Sequence, residues 1–366
     1  MLTDYLSLVD DPRSHINREH DLVDVMFLVI NGVLSGAEGW ADLQAFGDEK
    51  LEWLRQFRPF KSGIPTRHSI ARILRTVDTQ QLALALYSWV NEQRKRQDQP
   101  IIALDGKTVR GAVNRNANPE TLHLVSAYDT QEGLVLFQQA TGGKGTEIQA
   151  VKELLSMLDI NGSIVTLDAL HCQSQTLDQI TLQGGDYVVQ LKKNQGKLRE
   201  AISTQFTDVF EGKPVPNLAQ HTTSDQGHGR EEVRTVFQLP ITEEMGLEDK
   251  WKSAKSIIAI ERSRKLKDKT TYDTHFYISS LECDAELVCK AIRQHWHIEN
   301  QQHWVLDVVY REDHSLIGDR EAAEVFALFR RIAMNLAKHH KGKMSNRQKL
   351  KRAGWSDEFR AELLFC

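Results

Sequence analysis

The segment Ile101-Ile102-Ala103-Leu104-Asp105-Gly106-Lys107 places a carboxylate directly after four apolar residues, and the segment Ile164-Val165-Thr166-Leu167-Asp168 repeats the arrangement. Short apolar runs of this kind predict buried strands. We expect each strand to end at its aspartate, with Gly106 allowing the backbone to turn away. Ligands of open α/β sheets bind beyond the carboxyl ends of the strands. The two aspartates are therefore candidates for one site, although aspartates are also common helix caps.

The surrounding sequence predicts a mixed α/β domain with a β-rich insertion. Further strands are expected at 121–128, 134–138 and 187–191, a hairpin turn at 129–133, and helices at 148–158 and 176–182. The polar segment from about 195 to 280 is expected to be the β-rich insertion, with strands at 257–260 and 275–279. The order of strands and helices indicates a mixed sheet.

Helices are expected on both sides of this domain. Residues 1–95 predict a small all-helical domain, with apolar residues spaced by three and four from Leu22 to Val33 and two short helices between Trp40 and Phe57. Residues 66–90 resemble a helix-turn-helix whose first helix carries arginines, so DNA contact and a plain helical bundle are both open. The chain is expected to be helical again from 285 to about 340, followed by a basic, mobile tail at 341–366.

Composition limits the class of protein. The chain has 366 residues, 40% of them hydrophobic, without an apolar run near the roughly 18 residues that span a bilayer. The four cysteines form no CxxC pair, and no signal peptide is evident, which predicts a protein of the reducing cytoplasm. The net charge is -4, from 46 basic and 50 acidic residues, and taken alone this counts against nucleic acid.

The basic residues are concentrated in two blocks. Nine lysines or arginines and no acidic residue lie between 330 and 352, and seven against two acidic residues lie between 252 and 269. We expect these blocks to contact phosphates, with binding that weakens steeply with salt, although a solvated helix face is the usual explanation of one charge run. The net charge therefore does not exclude DNA.

A third carboxylate lies on a predicted helix from 291 to 307. His295, Glu299 and His303 are spaced by four, so they share one helix face. A buried carboxylate must be paired or bound to metal. The alternative is a core helix with a hydrogen-bonded polar stripe, and in either case Trp296 and Trp304 are expected to pack inside.

Two strand-end aspartates and one helix glutamate suit a two-metal phosphoryl-transfer site. Carboxylate oxygens are the ligands that Mg²⁺ and Mn²⁺ prefer. Two ions about 3.5–4 Å apart stabilise the attacking and leaving oxygens of an in-line displacement. The nearby cations expected to contact phosphate oxygens are Lys107, Arg110, Lys192 and Lys193.

Taken together, these residues resemble the DDE transposases of bacterial insertion sequences, and among them the group that includes the H-repeat-associated proteins linked to Rhs elements. The motifs that carry the resemblance are Asp105-Gly106-Lys107 with Arg110-Gly111, Leu167-Asp168-Ala169 with His171, Lys192-Lys193-Asn194-Gln195, His228-Gly229-Arg230, and His295-Trp296-His297-Ile298-Glu299-Asn300 with His303-Trp304 and Leu306-Asp307-Val308. The resemblance covers nearly the whole chain.

The resemblance implies a ribonuclease-H-like fold, with the β-strand insertion between the second aspartate and the glutamate. It implies a DDE-associated helical domain at 1–95, for which binding of DNA ends is one of the open roles, and a catalytic domain at 96–340. It also implies catalysis and metal binding by Asp105, Asp168 and Glu299 with two Mg²⁺ or Mn²⁺ ions. The implied partners are element-end and target DNA, held by two protomers at the nucleoid, with no membrane.

The chain departs from the related pattern around the glutamate. Where related transposases have Tyr, Arg and Lys, this chain has Ile292, His295 and Leu306. His295 is then the residue expected to donate to a phosphate, and Arg230 to contact DNA from the insertion. The sequence leaves three functions open: an active transposase, a relic that binds DNA without strand transfer, and a metal-dependent nuclease that cleaves without joining.

Overall fold

A computed structural model describes residues 2–95, 98–111, 122–143, 145–227, 229–247, 249–267 and 269–365. The helices are α1 (Leu2–Leu6), α2 (Leu22–Leu34), α3 (Trp40–Leu54), α4 (Arg67–Arg75), α5 (Thr79–Gln93), α6 (Glu147–Met157), α7 (Ser174–Leu182), α8 (Gly196–Gln205), α9 (Thr207–Phe210), α10 (Ala285–His297), α11 (Trp304–Val308), α12 (Arg320–His339), α13 (Asn346–Trp355) and α14 (Asp357–Phe365). The strands are β1 (Ile101–Val109), β2 (Leu122–Asp129), β3 (Leu134–Ala140), β4 (Ile164–Leu167), β5 (Asp186–Leu191), β6 (Ala219–Gly227), β7 (Arg230–Pro240), β8 (Ser256–Leu266) and β9 (Lys269–Ser279).

The strands of the described residues form one nine-stranded mixed sheet in the order β3-β2-β1-β4-β5-β9-β8-β7-β6. The chain divides into two compact units. Unit 1 comprises Met1–Lys95, Gly106–Ala150 and Glu299–Cys366, and unit 2 comprises Arg96–Asp105 and Val151–Ile298. The protein is therefore a mixed α/β protein with a helical N-terminal region.

Unit 2 is built on parallel and antiparallel pairing around β4. The start of β1 pairs in parallel with β4, and β4 pairs in parallel with β5. Strand β9 then runs antiparallel to β5, followed by the antiparallel strands β8, β7 and β6. Helix α10 covers this sheet with Val288 and Ala291, which pack in one apolar cluster with Ile101 and Ile164. This packing fixes α10 over the strands that carry the two aspartates.

Unit 1 is organised around two apolar helices. Helix α2 begins at Asp21, whose side chain accepts hydrogen bonds from the backbone N–H groups of Val23 and Asp24. Nearly all of α2 is buried, and α12 packs against α2, α4, α5 and β3. Burial of α2 on most sides explains its largely continuous apolar sequence, whereas α12 also buries the polar side chains of Arg330, Arg331 and Asn335.

The structure differs from the sequence expectations in the N-terminal helices. The two short helices expected between Trp40 and Phe57 are one helix, α3, of 15 residues. Gly47 lies inside this helix, and a Cβ there would be 2.7 Å from Cγ2 of Ile64. The glycine is therefore a close-packing position within α3.

The basic C-terminal segment is also different from the expectation of a mobile tail. It folds as α13 and α14, which bury Leu350, Ala353, Phe359 and Leu363. Among the described residues, none of the helices is both long enough and apolar enough to cross a membrane.

Candidate active site

Two carboxylates of unit 2 lie side by side at the end of the parallel pairing. The register of β1 and β4 ends with Leu104 opposite Leu167, so Asp105 and Asp168 are the next residue of each strand. Neighbouring strands lie about 4.8 Å apart, which brings both half-buried side chains to one edge of the pair. The expectation that both strands end at their aspartates is wrong for β1, which continues to Val109.

The turn after Asp168 is fixed by hydrogen bonds. Oδ1 of Asp168 accepts from the backbone N–H of Leu170 at 2.8 Å, so the helix-cap role open from the sequence is present. Nδ2 of Asn194 donates to the carbonyl oxygen of Ala169 at 2.5 Å, and Nε2 of Gln195 donates to that of Cys172 at 2.8 Å. Asn194 and Gln195 therefore support the loop that holds Asp168.

Glu299 lies in a π-helical segment, Ile298–His303, that continues directly from α10 into α11. Oε2 of Glu299 lies 3.4 Å from Nδ1 of His303. The His303 side chain is buried, while the Glu299 side chain is 48% exposed. Glu299 and His303 both belong to a group of side chains whose ligand atoms could hold a metal ion. The wider π turn changes the regular spacing expected for His295, Glu299 and His303, and such turns are frequent at functional sites.

His295 links the glutamate helix to the aspartate strand. Its Nδ1 lies 3.0 Å from Oγ1 of Thr166, which precedes Asp168 by two residues on β4. Glu299 follows His295 by four residues in the same helical run. One hydrogen bond between α10 and β4 thus lies one helical turn before the glutamate.

Lys107, expected to contact phosphate, is instead buried among carboxylates of unit 1. Its Nζ lies 2.6 Å from Oδ1 of Asp307, 3.2 Å from Oδ1 of Asp313 and 3.5 Å from Oε2 of Glu312. Its charge is therefore compensated inside the protein, which counts against Lys107 as a DNA contact. Arg110, by contrast, has an 82% exposed side chain, 3.8 Å from Asp313.

The remaining predicted cations are on the surface of unit 2. Lys192 and Lys193 are exposed where β5 gives way to α8. Burial lowers the pKa of the nearby His275, Arg262 and Lys192 lower it further, and Asp273 opposes them. Arg230 is exposed at the start of β7, with its Nε 3.5 Å from Glu232, whereas His228 lies outside the described residues.

Three of the nine cations in the block at 330–352 are buried, so they are not available to phosphates. Arg330 stacks over the ring of Phe326, and Arg331 forms an ion pair of 2.5 Å with Glu312. Nζ of Lys349 donates to the carbonyl oxygens of Ala337 and His340 at the end of α12. The exposed members are Lys338, Lys341, Lys343, Arg347, Lys351 and Arg352.

Comparison with known families gives this geometry a context. Residues 96–336 match the family model described as "Transposase DDE domain", and residues 3–90 match the model described as "DDE_Tnp_1-associated". The chain belongs to the DDE transposase family. Members of this family generally use divalent metal ions, for which the carboxylates described above are candidate ligands.

One relative with a transposase name covers nearly all of this family member, and another covers a short part of it. It is 35% identical over 369 residues to "H repeat-associated putative transposase YhhI" of Escherichia coli K12, covering 99% of this chain and 97% of that protein. It is 40% identical over 73 residues to "Inactive transposase YbfQ" of the same organism, covering 20% of this chain and 87% of that protein.

A solved structure with limited similarity is a piggyBac transposase synaptic complex with hairpin DNA. The TM-score is 0.40 and the sequence identity 10%, with 100% of this chain and 78% of that chain covered. The similarity to the H-repeat-associated group, stated above on the motifs, is confirmed by the named relatives.

Sequence reasoning missed a hydrogen-bonded chain beside the first aspartate of this DDE transposase. Oγ1 of Thr108 lies 2.9 Å from Nδ1 of His123, whose Nε2 lies 2.8 Å from Oε2 of Glu147. A Cβ on Gly106 would be 2.6 Å from both Oε1 of Glu147 and Nε2 of His123. Gly106 therefore does not end the strand. It makes room for this pair, and no local motif indicated a contact with residues so far along the chain.

The two tryptophans of the glutamate helix also differ from expectation. Trp296 and Trp304 were expected to pack inside, but they are 55% and 56% exposed. They flank the segment that carries Glu299, so the surface around this glutamate contains large aromatic side chains as well as a carboxylate.

Proposed function

We propose that this chain is a DNA transposase that cleaves phosphodiester bonds and transfers DNA strands at a site formed by Asp105, Asp168 and Glu299. The observation that carries the proposal is the position of Asp105 and Asp168, one residue beyond the last paired residues of two parallel strands. Family membership supports the same reading. Glu299 completes the proposed site because it follows His295, which contacts Thr166 on β4, by one turn.

The donor set suits a hard divalent cation. The three proposed ligands are carboxylates, and oxygen ligands favour Mg²⁺ or Mn²⁺ over softer metals. When bound, two such ions would stabilise the attacking and leaving oxygens of an in-line displacement. We propose that Asp105, Asp168 and Glu299 would hold these ions.

The protein's own groups would orient these carboxylates. The N–H of Leu170 fixes one oxygen of Asp168, and the imidazole of His303 lies against one oxygen of Glu299. Ligands held by such outer contacts lose less conformational freedom when they bind metal. The half-exposed Glu299 side chain leaves room for a substrate to approach.

The strand order supports a ribonuclease-H-like interpretation of the catalytic domain. The order β3-β2-β1-β4-β5 brings β1 and β4 together, and the additional strands β6 to β9 come between Asp168 and Glu299 in sequence. We propose a helical domain at 1–95, a catalytic domain at 96–340 with this insertion, and a C-terminal segment at 341–366 that is helical.

DNA is the proposed partner, bound through exposed cations. We propose that Arg110, Lys192, Lys193 and Arg230 contact phosphates, and that His295 does so from α10. Two copies of the chain would hold two element ends at the nucleoid, since transposition joins both ends to one target.

The test uses near-isosteric substitutions, Asp105→Asn, Asp168→Asn and Glu299→Gln, with DNA that flanks the gene as substrate. Each variant should lose nicking and joining with Mg²⁺ or Mn²⁺ present, while keeping DNA binding. Asp208→Asn is the control because Asp208 is an exposed carboxylate paired with Lys213. Undiminished cleavage in any of the three variants would refute the assignment.

The same assay separates the other two functions left open by the sequence. A wild-type protein that binds element ends and never cuts them would be a relic. A wild-type protein that cuts without joining and without preference for ends would be a metal-dependent nuclease.

A further inference from the structure

Lys107 is the centre of a buried ion cluster, defined here as Lys107, Asp307, Glu312, Asp313 and Arg331. The Lys107 side chain is 6% exposed and meets three carboxylates within 3.5 Å. A lysine reaching out to a DNA phosphate would need the opposite environment, with its ammonium in solvent or in a groove.

The cluster joins four parts of unit 1. Lys107 lies on β1, Asp307 on α11, and Glu312 in the loop that follows α11. Glu312 is fully buried and also pairs with Arg331 of α12. Burying a charge is costly unless it is paired, so each member depends on the others.

Backbone contacts bring the end of β1 against the same loop. The N–H of Arg110 donates to Oδ1 of Asp313 at 3.2 Å. At Gly111 a Cβ would be 2.3 Å from the carbonyl oxygen of Ser315, so only glycine permits this approach. The end of β1 and the loop after α11 are therefore in contact at Arg110 and Gly111, and the buried ammonium of Lys107 contacts the same loop.

The cluster lies next in sequence to two proposed metal ligands. Lys107 follows Asp105 by two residues on β1, so both side chains project from the same face of the strand. Asp307 follows Glu299 by eight residues in the helical run that includes the π-helical segment. The contact of 2.6 Å between Lys107 and Asp307 thus connects the strand of one ligand to the helix of the other.

We propose that Lys107 is a positioning residue, which fixes the helix of Glu299 relative to β1 through Asp307 and Asp313, and that it does not contact DNA. This inference rests on the proposed function for its consequence in catalysis. Displacing a reacting group by about 1 Å can cost on the order of 100-fold in rate. The role therefore predicts slower cleavage with unchanged DNA binding.

The experiment compares Lys107→Met and Asp307→Asn with the control Lys213→Met. Lys213 also contacts two carboxylates, at 2.8 Å and 2.6 Å, but is 56% exposed. Three quantities are measured for each full-length protein: the single-turnover cleavage rate at saturating element-end DNA, the salt dependence of DNA binding, and hydrogen exchange of the amides at 299–308.

The positioning role predicts that Lys107→Met slows cleavage by about 100-fold. It also predicts that the amides at 299–308 exchange hydrogen faster than in the wild type. The slope of log K for DNA binding against log salt concentration should equal that of the wild type. Asp307→Asn should change the rate and the exchange in the same direction, and Lys213→Met should change none of them. Lys107→Arg keeps the charge and should recover part of the rate.

The opposite role gives opposite results. If Lys107 contacts a phosphate, Lys107→Met reduces the salt slope by about 0.9, and Asp307→Asn leaves cleavage intact or tightens binding. Those results, or unchanged exchange at 299–308, would overturn the proposal. If Lys107→Met does not fold, the cleavage rate and hydrogen exchange of Asp307→Asn test the proposal instead. This variant should fold, because Asp307 is 32% exposed and asparagine places an amide of the same shape where the carboxylate was. If the wild-type protein does not cleave DNA, only the proposed function is refuted. The hydrogen exchange at 299–308 and the salt dependence of DNA binding still test the role of Lys107.

Discussion

The substitution Gly106→Ala tests the geometry beside Asp105 most sharply. The added methyl group would lie 2.6 Å from both Oε1 of Glu147 and Nε2 of His123. Real Cβ atoms do not approach oxygen or nitrogen this closely, so the His123–Glu147 pair, at 2.8 Å, must separate or β1 must shift. We expect the protein to be destabilised and any cleavage to slow, because Asp105 is the preceding residue.

The expected loss of stability follows from two contributions. Overpacking costs about 1–3 kcal/mol. Losing a hydrogen bond to a carboxylate costs about 1.5–3 kcal/mol when it is buried, and less here since the side chains of His123 and Glu147 are 26% and 20% exposed. Alanine also restricts the unfolded chain, which returns about 0.4–1 kcal/mol. We therefore expect a net loss of about 2–4 kcal/mol, the balance of these terms.

The assay is urea unfolding of Gly106→Ala beside Gly196→Ala, the single variant Glu147→Ala and the double variant Gly106→Ala/Glu147→Ala. Gly196 has helical φ and ψ of -56° and -44° and no atom near its added Cβ, so its alanine variant should gain about 0.4–1 kcal/mol. Removing the Glu147 side chain should relieve most of the crowding, with a coupling of about 1–3 kcal/mol. A Gly106→Ala protein as stable as the wild type, or strictly additive effects, would refute the reasoning.

Two further predictions concern buried charges of unit 1. Burial raises the pKa of Glu312, but Arg331 and other cations lower it more, to about 2. The stability of the protein should therefore fall as the pH drops from about 4.5 toward 2. Arg331→Met should weaken this pH dependence in acid unfolding curves and should cost about 3–5 kcal/mol of stability at pH 7. Lys349→Met leaves two carbonyl oxygens at the end of α12 without their donor and should cost about 1–3 kcal/mol in thermal unfolding, whereas the exposed Lys351→Met should stay within about 0.5 kcal/mol.

The strand that carries Asp168 could be predicted at its exact bounds. Ile164–Leu167 is a fully buried run of three apolar residues and Thr166 between a turn and an aspartate, so local pattern and burial agree. The strand of Asp105 was predicted too short, because polar residues after Leu104 suggested a strand end. Their partners, including Glu312 and Asp313, come from some 200 positions further along the chain, and no local pattern reveals them.

The same reason explains the errors in charge. Arg331 and Lys349 belong to a block without acidic residues, which indicated a solvated or DNA-binding surface. In the structure the distant Glu312 pairs with Arg331, and carbonyl oxygens at the end of α12 accept hydrogen bonds from Lys349. Composition within a window records charge, but burial depends on which segments pack together.

The three carboxylates were proposed from the sequence because strand ends and helix spacing are local signals, and their role stays a prediction. The π-helical turn at Glu299 was not found, since a regular helix and a π turn have the same residues in sequence. Its contact with His303 gives a geometry that spacing by four alone did not specify.

The central claim is that Asp105, Asp168 and Glu299 hold two divalent ions, and Mn²⁺ binding to the full chain with element-end DNA tests it most directly. Equilibrium titration followed by electron paramagnetic resonance counts bound ions whether or not this copy cleaves. The wild type and Asp208→Asn should bind two ions, and each of Asp105→Asn, Asp168→Asn and Glu299→Gln should lose at least one. Variants that bind Mn²⁺ with the stoichiometry and affinity of the wild type would contradict the account.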